Sequence, residues 1–338
     1  MNLVASPEIV DTKGTPDQQT PEPKWEGDPK PVEEINQEVP EETLYLIGRP
    51  TLKQYLYFVR NYTVHPPEDG VLMDEWQAAN DVVRALEKQE AGAADNPPIT
   101  TLNIEKYEPL LTEFLKDPLV KNGFNTVPTD VALVELDRLV VYQHHIDVTY
   151  AGLLARELGN SPSDELIFRT SLLHDHPRPP VKWSRVGSNT FVFMSPSNDL
   201  RFLGSMKLQA SNITDYRLPG DVAGVVGLTF GFGSNFLNAI YVENRLILNN
   251  GSHRAYALRK MGVTHVPCII QHAASRDQLE VLARPQVVNN LDHFLKSPRP
   301  SMLRDYFDPR LHKIFPVRKV TRQVTLKFEV EDTDVPAF

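Results

Sequence analysis

The segment Leu246-Ile-Leu-Asn-Asn-Gly-Ser-His-Arg-Ala-Tyr-Ala-Leu-Arg-Lys-Met-Gly262 puts a glycine, a hydroxyl, an imidazole and a guanidinium in consecutive positions, Gly251 to Arg254. Arginine offers a planar fork of donors that grips anionic oxygens, and histidine donates or carries a proton near neutral pH. Gly251 permits a tight turn, and the residues after it open a helix whose free N–H groups and positive dipole end favour an anion. The combination suits a phosphate, with Asn250, Gly251, Ser252, His253 and Arg254 as its expected contacts. For acid–base work the candidates are His253 and Glu243, the nearest upstream carboxylate. The alternative is a plain helix start, capped by Ser252, with His253 and Arg254 paired to nearby carboxylates.

A second group of chemically able residues is Gln143-His-His-Ile-Asp147 with Ser171-Leu-Leu-His-Asp-His176. Imidazole and carboxylate ligands suit a divalent ion that activates water, and the spacing resembles that of HD-type metal phosphohydrolases. Pro177-Arg-Pro-Pro180 and strand-like runs follow at once, where that family continues in helices. The predicted role is therefore a histidine pair on a half-buried helix and a polar turn, with no metal ligands. Gly224 to Asn235, rich in glycine, reads as a loop between elements.

The elements that must position the Gly251 turn follow from pattern. Ala239 to Leu248 alternates as a hairpin turning at Glu243-Asn244; a helix runs from the turn to a Gly262 stop; Val263-Thr-His-Val-Pro-Cys-Ile-Ile270 is a strand. This order of apolar strand, Gly-x-His-Arg-x-x-Ala, helix, Gly-Val and x-x-Val-Pro strand resembles the central motif of the ParB/sulfiredoxin superfamily, over Tyr241 to Ile270. The resemblance implies a nucleoside triphosphate, ATP or CTP with Mg2+, whose phosphates meet Gly251 to Arg254. It also implies nucleotide hydrolysis or phosphoryl transfer as the natural chemistry. Ser252 stands where sulfiredoxins carry their reactive cysteine, so sulfinic acid repair is not expected. Asn249-Asn250 replaces the Asp that many ParB-like members place before the turn glycine.

Charge narrows the alternatives. The chain of 338 residues has a formal charge of −9, but residues 1–42 hold eleven Asp or Glu against three Lys, so the body is close to neutral. A neutral body lacks the basic balance of non-specific duplex binding. Residues 1–42, with seven prolines, predict a disordered tail that can dock a protein partner. Cys268, the single cysteine, cannot form an internal disulfide and suits a reducing compartment. Neither a leader-like N-terminus nor an apolar run of membrane-spanning length is seen, which predicts a cytoplasmic protein without a membrane partner.

The expected class is α+β. A mainly helical module over 43–177 (Thr51–Arg60, Asp74–Lys88, Ile104–Leu115, Val131–Leu158) precedes a ParB/sulfiredoxin-like mixed-sheet domain over 178–295, ending in a helix from Gln278 to Phe294. Residues 296–338 form a basic extension, with eight Lys or Arg against two Asp from Arg299 to Lys327, and a final strand within Thr321–Val330. That basic stretch supports an alternative function, a non-enzymatic DNA-associated or scaffold protein switched by nucleotide. No helix-turn-helix signature accompanies it.

Overall fold

Side-chain caps and strand alternation account for most of the element boundaries. The computed structural model describes residues 41–172, 179–197, 199–212, 220–233 and 235–335. The acidic tail up to residue 40, and His174, Asp175 and His176, lie outside them.

In chain order, β1 (Glu41–Leu46) leads to α1 (Leu52–Tyr62) and α2 (Asp69–Gln89). Thr51 starts α1 with a capping box: its hydroxyl accepts from Gln54 N–H at 3.3 Å, and the Gln54 side chain accepts from Thr51 N–H at 2.9 Å. Next come β2 (Ile99–Thr101), α3 (Ile104–Lys116), α4 (Pro118–Gly123), β3 (Thr129–Glu135) and β4 (His145–Asp147). Asp147 caps α5 (Val148–Leu158) by accepting from Tyr150 N–H at 2.8 Å; α6 (Asp164–Leu172) follows. Four strands continue the chain: β5 (Lys182–Arg185), β6 (Thr190–Ser195), β7 (Leu200–Leu208) and β8 (Val225–Phe232). Then come β9 (Asn238–Val242), β10 (Arg245–Asn250), α7 (Ser252–Lys260) and β11 (His265–His272). The chain ends with α8 (Arg276–Leu282), α9 (Pro285–Val288), α10 (Leu291–Lys296), β12 (His312–Val317) and β13 (Arg322–Lys327).

The fold is mixed α+β. Its central sheet has the order β10-β9-β11-β3-β2, with β11 parallel to β9 and antiparallel to β3. Glu243 and Asn244 have φ of 44° and 63°, the left-handed pair that a two-residue primed hairpin turn requires, so β9 and β10 pair as predicted. From the edge strand β10, α7 carries the chain across β9 to β11. Smaller sheets β12-β1-β4, β13-β6-β5 and β7-β8 complete the strand pairing.

The division into three modules is not what forms. Leu44 and Val134 from the expected helical module, Leu246 and Ile270 from the expected binding domain, and Tyr306 from the expected extension share one buried core. Pro40–Phe338 is a single compact unit. Strand pairing explains this: β3 lies against β11, β1 against β12, and β6 against β13.

Three local expectations are also corrected. Over Val131–Leu158 a strand, a turn and β4 precede a helix that begins only at Val148. β3 is covered on both faces, Ala132 and Val134 in one cluster and Val131 and Leu133 against another, and a doubly buried strand loses the alternation that marks strands. The helix predicted from Gln278 to Phe294 is three short ones, because Pro285 fixes its φ, has no N–H to donate and starts a new helix. Gly224 to Asn235 contains β8 rather than a loop: a Cβ at Gly227 would lie 3.0 Å from Leu208 Cδ1, and one at Gly231 3.2 Å from Leu203 Cδ1. The glycines let the paired strand's side chains lie flat. Among the described residues, no helix is long and apolar enough to cross a membrane.

Candidate anion-binding site

The bend between β10 and α7 is fixed from both sides. Tyr142 Oη donates to Asn249 O at 3.1 Å and Asn250 Nδ2 donates to Phe236 O at 3.0 Å. Gly251 has φ 98°, a region that L side chains rarely adopt, and a Cβ there would lie 3.1 Å from Leu237 Cγ and 3.2 Å from Leu237 Cα. Glycine is required by both torsion and space. Gly251 also occupies the cap position of α7, Ser252 is the first helical residue, and no side chain caps the helix. The reading with Ser252 as cap is therefore set aside, and the α7 N-terminus keeps the electropositive end that an uncapped first turn presents.

That end opens on a cavity of about 2070 Å³ lined by Asn250, Gly251, Ser252, His253 and Arg254 together. His253 packs edge-on to Tyr150, ring centroids 5.8 Å apart, and its Nε2 is buried with no hydrogen-bond partner among the described residues. Burial pushes the His253 basicity down to about 4, helped by the neighbouring His145 and Arg254. At neutral pH it is an uncharged ring with one N–H to donate.

Arg254 differs from its predicted role. Its Nη1 faces three carbonyls, Thr170 O at 3.2 Å, Ser171 O at 3.1 Å and Asn235 O at 2.5 Å, which ties α7 to the end of α6. A two-pronged grip on phosphate is thus replaced by a single nitrogen, because Nη2 alone is left without a partner among the described residues. Burial lowers the Arg254 pKa to about 10, which leaves it charged at neutral pH.

Glu243 is not brought to the site. It lies in the hairpin turn at the other end of β10, about 20 Å away along a six-residue strand, and pairs with Arg276 at 2.7 Å. The side chains that do join the turn come from segments with no shared motif. His144, His145 and Asp147 arrive from around β4, Tyr142 just before it, His293 from α10, and Arg284 and Arg322 from farther along. Burial holds His144 down to about 4, whereas His145 and His293 are exposed. Of the metal-type constellation, His144 and His145 thus face the anion cavity, and His174, Asp175 and His176 lie outside the described residues. Among the described residues no three His, Cys, Asp or Glu side chains converge as a metal site. Cys268 is buried in β11, and burial pushes its thiol up, away from nucleophilic reactivity.

Four of the eight basic residues from Arg299 to Lys327 are paired within the fold. Arg299 pairs with Asp305 and Glu90, Arg304 with Glu90, Arg310 with Asp308 and Lys313 with Glu75. Charges engaged in this way are not a surface offered to DNA phosphates.

No family model, curated protein or solved structure matches this chain. What the turn can hold follows from its own groups: a glycine bend, an uncapped helix start, a neutral imidazole and one Arg254 nitrogen without a partner among the described residues, all suited to anionic oxygen.

Proposed function

We propose that this protein binds a phosphorylated ligand, most specifically a nucleoside triphosphate such as ATP or CTP with Mg2+, at Gly251 to Arg254. The β9–β10–α7–β11 unit serves as a ParB/sulfiredoxin-like binding core. The observation that carries the reading is the uncapped α7 N-terminus opening on the cavity beside His253 Nε2 and Arg254 Nη2, both lacking partners among the described residues. A buried polar group without a partner costs on the order of 1–3 kcal/mol, and a phosphate oxygen that meets Arg254 Nη2, together with His253 Nε2 in its protonated-Nε2 tautomer, removes that cost. The volume of about 2070 Å³ exceeds what a phosphate alone needs, and Tyr57, Phe58 and Tyr62 on α1 give the cavity aromatic surface for a base. Asp147 and Asp199 also line the cavity and are oxygen donors of the kind Mg2+ takes alongside phosphate. The reading places the protein in the cytoplasm, where such nucleotides are plentiful.

Thermal-shift and calorimetric titration of ATP, CTP, GTP and ADP, with and without Mg2+, tests it on the full chain and on His253→Ala. Saturating ligand at about a hundred times Kd stabilises by about 2.7 kcal/mol, a shift of several degrees in Tm. Wild type is expected to show that shift with at least one nucleotide, and His253→Ala to lose most of it. Absence of any shift in wild type, or an equal one in the variant, contradicts the proposal. Phosphate release followed in the same samples reports turnover.

A further inference from the structure

Three arginines lie outside the α7 motif: Arg284 and Arg322 line the cavity, and Arg201 stands behind it, paired with the lining residue Asp199. Arg201 lies on β7, Arg284 between α8 and α9, and Arg322 at the start of β13; Arg284, Arg322 and Asp199 line the cavity. Arg201 Nη2 lies 2.9 Å from Asp199 Oδ1, and its Nε is buried with no hydrogen-bond partner among the described residues. Gly233 makes room for this guanidinium: a Cβ there would lie 1.3 Å from Arg201 Nη2, while Gly233 N–H donates to Asp199 Oδ2 at 3.0 Å. Arg322 is anchored through Nε, which donates to Leu200 O at 2.8 Å. Arg284 lies beside the Tyr142 hydroxyl, the group that donates to Asn249 O two residues before Gly251. One tyrosine therefore joins the arginine group to the α7 bend.

Among the described residues, Asp199 is the one carboxylate paired with any of the three. Arg284, half-buried, and Arg322, exposed, have no carboxylate partner among the described residues, so two guanidinium groups on the cavity are left to an anion. Burial pulls Arg201 below the ordinary arginine value; Asp199 opposes this, and the nearby Arg284 and Arg322 add to it. We infer that Arg284 and Arg322, backed by Arg201, form a second anion subsite, which takes a further phosphate of the ligand whose first phosphate meets the α7 N-terminus. The ligand class is then a polyphosphate rather than a monophosphate. This rests on the phosphate reading of the α7 bend.

Calorimetric titration of the full chain with orthophosphate and with inorganic tripolyphosphate separates the two claims. Wild type is expected to bind tripolyphosphate at least about tenfold more tightly, the yield of one or two added charge-assisted contacts. Arg284→Gln is expected to abolish that preference, and Arg284→Lys to retain part of it. A wild type without preference, or an Arg284→Gln variant that keeps it in full, overturns the second subsite and leaves the α7 site standing. The wild-type comparison decides even where a variant folds poorly. Failure of wild type to bind either probe overturns the α7 reading and this inference with it.

Discussion

Gly251 and the cavity histidines set the chemistry at the scale of single residues. Because Gly251 combines φ 98° with neighbours at 3.1 and 3.2 Å, Gly251→Ala is expected to destabilise the protein by about 2 kcal/mol or more and to weaken nucleotide binding. Chemical denaturation checks the first part, and an unchanged midpoint would mean that the bend tolerates a side chain. The histidines give a pH dependence of fixed sign. Unfolded, an imidazole takes up its proton near pH 6.5, whereas His144 and His253 in the fold do so only near 4. Between those values the unfolded chain holds more protons, so stability is full above about pH 6.5 and falls as pH drops towards 4, by up to about 1.4 kcal/mol per unit for each ring. Denaturation midpoints at pH 7, 5.5 and 4.5 measure this, and His144→Gln should flatten the slope. A midpoint that rises on acidification contradicts the burial of these rings.

At the scale of elements, the hairpin, α7 and β11 were legible because their signals are local. Glu243-Asn244 turns two alternating runs, Gly251 and Gly262 bracket one helix, and Val266 to Ile270 is a dense β-forming run. β3 was not legible, since a strand buried on both faces presents apolar residues at spacings that a helix also gives. Within the site, the Gly251–Arg254 motif was readable, but the wrong location for Glu243 came from sequence proximity: six residues along a strand separate points far apart, where six along a helix would not. Tyr142, His293, Arg284 and Arg322 carried no spacing signal, as only tertiary pairing brings them to the cavity. The junction of β8 with Asp199 offers its own test. Gly233→Ala is expected to displace the flexible end of Arg201 without unfolding the chain, lowering tripolyphosphate affinity while orthophosphate binding is retained. Loss of both together would show that the displacement reaches the α7 bend.

For the whole molecule, long-range pairing holds in one body what composition divides into three. Arg49, following β1, and Arg299, following α10, both pair with Asp305, and all three side chains are at most 2% exposed. Asp305 also accepts from Met302 N–H at 3.1 Å. Removing one partner of a buried ion pair leaves uncompensated charge, so Asp305→Ala is expected to cost about 3–5 kcal/mol in denaturation free energy. A loss below about 1 kcal/mol would mean that water reaches the two guanidinium groups. The same network gives Arg299 a structural role within the fold.

The most direct test of the central claim is amide chemical-shift titration of the isotopically labelled full chain with ATP or CTP and Mg2+, followed at Ser252, His253 and Arg254. If phosphate meets the α7 N-terminus, those N–H signals move together, saturate at one Kd and shift in the direction of stronger hydrogen bonding. If they stay in place while the nucleotide binds elsewhere or not at all, the anion site at Gly251 to Arg254 does not exist.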